Sequence, residues 1–240
     1  MMRVIVVRHF KTINNAQRRI IGWGDSPPAE DWKDDLIQVS RVFRDQGLRF
    51  DQIYSSSLTR ARKTARWFAD EHPGPVAVQS VPELNEVDYG ELSQLSKQWA
   101  FDHCPEYKTD PDYVFPGGES FAGMRRRSVG HLLSLERRHS GQTILLVAHA
   151  GVIRGLITQL LGLPFAPNLR RKISHRYVGD FSIEGRRCLR YDELGQPSGF
   201  VTEGAIEIPY LAAGVDVRAR HFTDAENTSV LSSVAHRSAS

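Results

Sequence analysis

Two short apolar runs, Val4-Ile5-Val6-Val7 and Ile144-Leu145-Leu146-Val147, each lead within two residues to a histidine, as Arg8-His9 and Ala148-His149. Runs this short and this rich in aliphatic, partly β-branched residues read as buried strands of a parallel sheet. In open α/β sheets ligands bind beyond the carboxyl ends of the strands, so both imidazoles stand where such folds do their chemistry. One buried histidine is ordinarily a hydrogen-bonded core residue. Two in the same topological position point to a site.

The rest of the chain supplies the elements that such a sheet needs. Further strands are expected over 52–55 and 76–81, and more weakly over 177–183, 188–191 and 206–211. Leu58, Ala61, Ala65 and Phe68 form one helical stripe, and Val152, Ile153, Leu156, Ile157, Leu160 and Leu161 another. A longer helix is expected after Gly117-Gly118, capped by Ser120, with Phe121, Met124, Leu132 and Leu135 on its buried side. Strands alternating with helices define an α/β fold, a three-layer α/β/α sandwich around a mostly parallel sheet. Residues 1–198 read as the catalytic domain and 199–240 as a C-terminal extension and tail. From about Gly214 periodicity is lost, and order is expected to reach about Phe222.

Bulk properties narrow the function classes. The chain has 240 residues, with 31 Lys and Arg against 28 Asp and Glu. That balance is too mild to imply nucleic acid, and no basic stripe is interleaved with aromatics. The run Arg125-Arg126-Arg127 reads as a solvated helix face. Cys104 and Cys188 form no CxxC or metal-type cluster, which suits a reducing, cytoplasmic setting. Neither a secretory leader nor a stretch of membrane-spanning length is visible.

Arg8-His9 carries a specific chemistry. A guanidinium offers a rigid fork of donors matched to phosphate oxygens. Its charge pushes the neighbouring imidazole toward the neutral form, whose free nitrogen can attack phosphorus while an acceptor holds the other proton. In Tyr54-Ser55-Ser56-Ser57-Leu58-Thr59-Arg60-Ala61, a strand end passes through a polar turn into a helix. The first helical turn favours anions, so Arg60 there is a candidate to help capture one.

These segments, with Leu84-Asn85-Glu86, Gly117-Gly118-Glu119-Ser120 and His149-Ala150-Gly151-Val152-Ile153-Arg154, occur in the order found in the histidine phosphatase superfamily, which the chain resembles over roughly residues 2 to 195. That group contains the cofactor-dependent phosphoglycerate mutases and many phosphomonoesterases. The resemblance implies that His9 is the nucleophile that becomes phosphohistidine. It makes Arg8, Arg60, His149, Asn15 and the backbone at Gly22 phosphate-binding elements, and Glu86 the acid that protonates the leaving oxygen. Asp88 stands near enough to substitute for Glu86, and Lys97 and His175 are outer candidates for substrate contact. Two arginines and a second imidazole supply the positive charge, so no metal and no cofactor are expected.

The pattern is broken in two places. The family's usual glycine after the nucleophile is Phe10, followed by Lys11, and the segment before the next helix reads Asp31-Trp32-Lys33-Asp34-Asp35 with no glycine. Phe10 is expected either to wall the pocket or to pack behind the loop. No arginine occurs between residues 87 and 116, where the mutase branch carries a pair that holds a carboxylate. The expected activity is therefore hydrolysis of small phosphomonoesters, with a phosphoglycerate mutase as the alternative and a non-catalytic phosphate-binding module as a third reading. A small-molecule substrate is the expected partner, with neither nucleic acid nor membrane, and a homodimer stays open.

Overall fold

Four strands run parallel because the chain returns over a face of the sheet before each new one begins. The computed structural model describes residues 1–195 and 202–209. In chain order the elements are β1 (Met2–Arg8), α1 (Ile13–Ala16), α2 (Trp32–Asp45), β2 (Gln52–Ser56), α3 (Thr59–Asp70) and β3 (Val78–Val81). They continue with α4 (Lys97–His103), α5 (Phe121–Glu136), β4 (Thr143–Ala148), α6 (Ala150–Leu160) and α7 (Phe165–Asn168). Three strands close the series, β5 (Val178–Glu184), β6 (Arg187–Glu193) and β7 (Thr202–Glu207).

The sheet order is β3-β2-β4-β1-β5-β6-β7. Strands β1 to β4 are mutually parallel, and β5 to β7 extend the sheet as an antiparallel meander. Side chains alternate along each strand, so one face of β1 and β4 presents Ile5, Val7, Leu145 and Val147 to Leu36, Val39 and Phe43 of α2 and to Ala61, Ala65 and Phe68 of α3. Val4, Val6, Ile144 and Leu146 alternate with them and are wholly buried toward the layer of α5 and α6. Both faces are thus covered, as the unbroken apolar runs require. On the antiparallel side Asp180, 1% exposed, accepts from Arg3 Nε at 3.0 Å and Nη2 at 2.8 Å. A bidentate, charge-assisted pair satisfies a carboxylate that would otherwise be buried alone.

The last strand differs from the sequence expectation of 206–211. β7 lies earlier because its partners on β6 run from Arg187↔Glu207 to Tyr191↔Thr202. Pro209, just past its end, has no N–H to extend the ladder. Asp31 takes the N-cap position of α2, so the missing glycine there does not prevent the helix. The tail from Gly214 and its expected order to Phe222 lie outside the described residues.

Candidate active site

Parallel pairing of β1 with β4 brings the two histidines together. Arg8 is in register with Ala148, and the His9 N–H donates to the Ala148 carbonyl at 3.0 Å as the strands end. The imidazoles of His9 and His149 then lie 5.0 Å apart between centroids. A third, His175, sits 5.5 Å from His9 and donates from Nδ1 to the His9 carbonyl at 2.7 Å. The Nδ1–H of His9 is held by the Phe10 carbonyl at 2.6 Å, which leaves Nε2 with a free lone pair.

Burial and the charges of Arg60 and Arg8 push His9 and His149 well below the ordinary histidine value of 6.5. His175 is driven to about 3 by burial and then by Arg8. His9 is therefore neutral before any ligand arrives, the form in which an imidazole can act as a nucleophile. ¹⁵N NMR of labelled histidines is expected to show these three rings staying neutral, His9 as the Nδ1–H tautomer, as pH falls through 6.5. A midpoint near 6.5 for His9 would remove the preset nucleophile. The same shift has a stability sign. The unfolded chain binds these protons and the folded one does not, so stability falls as pH drops below about 6.5.

Around His9 stand polar atoms with nothing to bond. Arg8 Nη1 donates to the Ile173 carbonyl at 2.6 Å, while its Nε is buried without a partner. Arg60, 2% exposed, props the 20–25 loop by donating to the carbonyls of Gly24 at 2.8 Å and Gly22 at 2.6 Å, and its Nε is likewise unpartnered. Gly22, at φ +56°, takes a left-handed conformation that side chains other than glycine rarely adopt. Desolvation lowers both guanidinium groups to about 10, so they remain cationic at neutral pH. Asn15 Oδ1 accepts from the Thr12 N–H at 3.2 Å and the Thr12 hydroxyl at 3.0 Å in a capping box. That leaves its amide N–H₂ as the group to offer the cavity that Asn15 lines.

His149 is wired from behind. The Ser57 N–H donates to Asn85 Oδ1 at 2.9 Å, which fixes that atom as an acceptor. The Ser56 hydroxyl donates to the same oxygen at 2.8 Å and accepts from His149 Nε2 at 2.8 Å. Nδ1 of His149 is left buried and unpartnered. With Nε2 committed, Nδ1 donates to a phosphoryl oxygen only once a proton has been taken up, which an arriving dianion favours.

Glu86 reaches the cavity from the loop after β3. Its Oε1 accepts from the Val87 N–H at 3.0 Å and its Oε2 from the Gly151 N–H, in the first turn of α6, at 3.1 Å. Trp23 Nε1 and Arg127 Nη2 donate to its carbonyl at 2.6 and 2.9 Å. Arg127 is thus no solvated-face residue. It also pairs with Glu119 at 2.5 Å and donates to the Glu83 carbonyl at 2.8 Å, and Arg125 lies over the Phe165 ring. The helix turns those two arginines inward and leaves Arg126 exposed. The Gly117-Gly118-Glu119-Ser120 segment braces the same loop. A Cβ on Gly118 would lie 2.3 Å from the Asp88 carbonyl oxygen, and Glu119 Oε1 accepts the Asp88 N–H at 3.1 Å. Asp88 itself accepts from Gly90 at 3.0 Å as a turn residue and is not among the cavity-lining residues, so it does not substitute for Glu86.

Gly151 has no room for a side chain, because a Cβ would lie 2.1 Å from Glu86 Oε1. Gly151→Ala is expected to displace the carboxylate and lower kcat for alkyl phosphates about 100-fold without unfolding the chain. Unchanged kcat with an intact circular dichroism spectrum would show that the Glu86 position is not critical.

Phe10 packs behind the loop rather than walling the pocket. It is 1% exposed in the α2–α3 core, its ring 4.9 Å from Trp32, and its N–H donates to Thr64 Oγ1 at 3.0 Å. Its φ is not positive, so the turn after His9 does not need glycine. Phe10→Gly is expected to destabilise by about 4 kcal/mol through the cavity it leaves, measured by urea denaturation. Equal stability with faster turnover would mean that the ring obstructs the site.

The cavity occupies about 200 Å³ and is lined by Arg8, His9, Asn15, Gly22, Arg60 and Glu86 among the residues expected from sequence. His149 lies against His9 through the ring contact above and is not itself on the lining, while Lys97 is. Lys108, Arg154, Tyr89, Tyr107 and Lys172 also line it. Arg154 was legible, five residues after His149 inside a quoted motif, but Lys108 has no sequence signal. Among the described residues no group of three or more His, Cys, Asp or Glu is placed to hold a metal. No helix there is long and apolar enough to cross a membrane.

A neutral imidazole flanked by two guanidinium groups and a second imidazole is an arrangement suited to a phosphoryl group. The chain belongs to the histidine phosphatase superfamily (branch 1), whose family model matches residues 4–189. It is 30% identical over 204 residues to the 2,3-bisphosphoglycerate-dependent phosphoglycerate mutase of Methylorubrum populi, covering 79% of this chain and 96% of that one. The enzyme of the same name from a Methylobacterium species is 31% identical, covering 79% and 98%. Among solved structures, YhfR of Bacillus stearothermophilus superposes with a TM-score of 0.67 at 24% identity, over 77% of this chain and 93% of that one. A mycobacterial glucosyl-3-phosphoglycerate phosphatase follows at 0.63 and 24%, over 75% and 90%. The structural likenesses establish the fold.

Proposed function

We propose that the protein is a phosphomonoesterase that works through a phosphohistidine on His9. The observation that carries this reading is that three of the five buried, unpartnered side-chain polar atoms among the described residues, Arg8 Nε, Arg60 Nε and His149 Nδ1, belong to the groups around the His9 imidazole. Such atoms are rare in folded proteins, and three of them beside one cavity suit a ligand that completes the bonding. A phosphoryl group, with three oxygens to satisfy, is the ligand whose charge and acceptors fit.

His9 Nε2 attacks phosphorus and the bond to the leaving oxygen breaks. Glu86 gives that oxygen a proton. Arg8 and Arg60 meet the charge spread over the phosphoryl oxygens, joined by His149 when protonated. Glu86, now a carboxylate, takes a proton from water as the water oxygen attacks phosphorus. The P–N bond breaks, its electron pair returns to Nε2, and inorganic phosphate leaves. The Phe10 carbonyl holds the Nδ1 proton throughout, so the ring carries one positive charge only while phosphorylated.

A second reading, phosphoglycerate mutase, uses the same first step with a phosphoglycerate in place of water as acceptor. It is favoured by the curated relatives and by the positive charge of the cavity. Against it stands the absence of arginine in 87–116, where the cations that line the cavity are Lys97 and Lys108, beside Arg154 of α6. Phosphate release from a panel of phosphomonoesters without added metal, beside a 3-phosphoglycerate mutase assay, tests the reading. Net release supports the phosphatase, and interconversion without release replaces it with the mutase. Inactivity in both, with no label on His9, leaves only a binding module.

A further inference from the structure

The two histidines at the strand ends are wired in opposite senses. His9 gives its Nδ1 proton to the Phe10 carbonyl and keeps a lone pair on Nε2. His149 is bonded through Nε2, which lies 2.8 Å from the Ser56 hydroxyl oxygen. Ser56 and His149 are wholly buried and Asn85 nearly so, which means the protons of this chain must find their acceptors inside the protein.

One backbone group fixes the direction of the chain. The Ser57 N–H donates to Asn85 Oδ1 at 2.9 Å, as does the Ser57 hydroxyl, so that atom is the amide oxygen and not the nitrogen. The Ser56 hydroxyl lies 2.8 Å from the same oxygen, which can only accept. Its single proton is therefore committed to Asn85, since turning it away would set two oxygens lone pair to lone pair. The Leu58 N–H donates to Ser56 Oγ at 3.1 Å. Ser56 is left with a lone pair for His149, so the neutral ring carries its proton on Nε2. Nδ1 then holds a lone pair, buried and without a partner. An anion is repelled by that lone pair, whereas the same nitrogen protonated is a charged donor.

Resting on the proposed phosphoryl site at His9, we infer that Ser56 and Asn85 are positioning residues that couple anion binding to the uptake of one proton. By holding His149 as the Nε2–H tautomer, they let the site close on a phosphoryl dianion only together with a proton that comes to rest on His149. The groups around the ring explain why that proton waits for the ligand. Arg8 and His9 stand at the end of β1, Arg60 on α3, Arg127 on α5, and Glu86 against the first turn of α6. Burial and the three arginines keep the empty ring neutral. A bound dianion offsets their charge and reverses the balance. The site thus selects its ligand by protonation state as well as by shape.

Sulfate and inorganic phosphate separate two sources of that proton. At about pH 6 sulfate is a dianion with no proton to bring, while phosphate is mainly the monoanion and brings its own. Calorimetry in buffers of different ionisation enthalpy is expected to show about one proton taken up per sulfate and about none per phosphate. ¹⁵N NMR is expected to show His149 as the Nε2–H tautomer in the free protein and doubly protonated in the sulfate complex. Ser56→Ala frees the ring to carry its proton on Nδ1, so uptake with sulfate should fall to near zero. Asn85→Asp keeps an acceptor for both hydroxyls and should retain it. A purely structural role would weaken both anions without moving the proton count. Uptake that survives in Ser56→Ala, a neutral His149 in the sulfate complex, or a proton found on His9 instead overturns the inference. If Ser56→Ala misfolds, the wild-type spectra decide. Failure of both anions to bind would instead bring down the phosphoryl site on which the inference rests.

Discussion

His9→Ala is expected to lower phosphomonoester turnover by about four orders of magnitude or more, with the fold intact. The size follows from what the side chain does. In the proposed mechanism its Nε2 is the atom that bonds to phosphorus, and neither neighbouring histidine is expected to replace it. His175 has its Nδ1 committed to the His9 carbonyl. His149 has one nitrogen committed to Ser56. The remaining arginines still bind phosphate, so the variant should retain affinity for inorganic phosphate or vanadate while failing to turn over. Brief mixing of wild type with a ³²P-labelled ester, followed by denaturation, should leave a label that is stable to base and lost in acid, and the variant should show none. Label or wild-type rates in the variant would end the phosphohistidine mechanism. Absence of label in the wild type would favour a phosphate-binding module.

The placement of His9 and His149 was readable because it depends only on local pattern. A buried run ending in histidine fixes the strand, and parallel pairing of two such runs fixes the neighbours, as the Arg8 and Ala148 register shows. Arg60 was readable for a similar reason. The stripe Ala61, Ala65 and Phe68 turns one side of α3 to the core, and the arginine at its start falls beside the strand ends.

What escaped the sequence depends on contacts between distant loops. The role of Arg127 requires the 82–88 and 117–119 segments to meet it, and a charged triplet on a helix carries no mark of that meeting. Phe10 departed from the family pattern, yet its ring entered the α2–α3 core, a fact set by Trp32 and not by its neighbours in sequence. Of the other cations lining the cavity, Arg154 lies within the motif that follows His149, whereas Lys108, in the loop after α4, has no motif to record it. The residues around His9 are thus marked locally in the sequence, and much of the remaining cavity wall is not.

Glu86→Gln is expected to separate substrates by their leaving groups. With an alkyl phosphate the departing alkoxide is a strong base and needs a proton as the bond breaks. Loss of a positioned acid then lowers kcat by about 10³-fold. With p-nitrophenyl phosphate the phenolate leaves unaided, so the first step loses little, and any remaining defect belongs to attack of water on the phosphoenzyme, where the carboxylate serves as base. Glutamine is nearly isosteric and its oxygen can still accept the Gly151 N–H, but its amide nitrogen forfeits the Val87 N–H. The two substrates share that structural loss, so the comparison between them isolates the chemical one. Burst kinetics complete the argument. The variant should release one equivalent of nitrophenolate quickly and then slow as phosphohistidine accumulates. Equal losses on both substrates with no burst would assign the proton transfer to another group and leave Glu86 as a wall of the cavity.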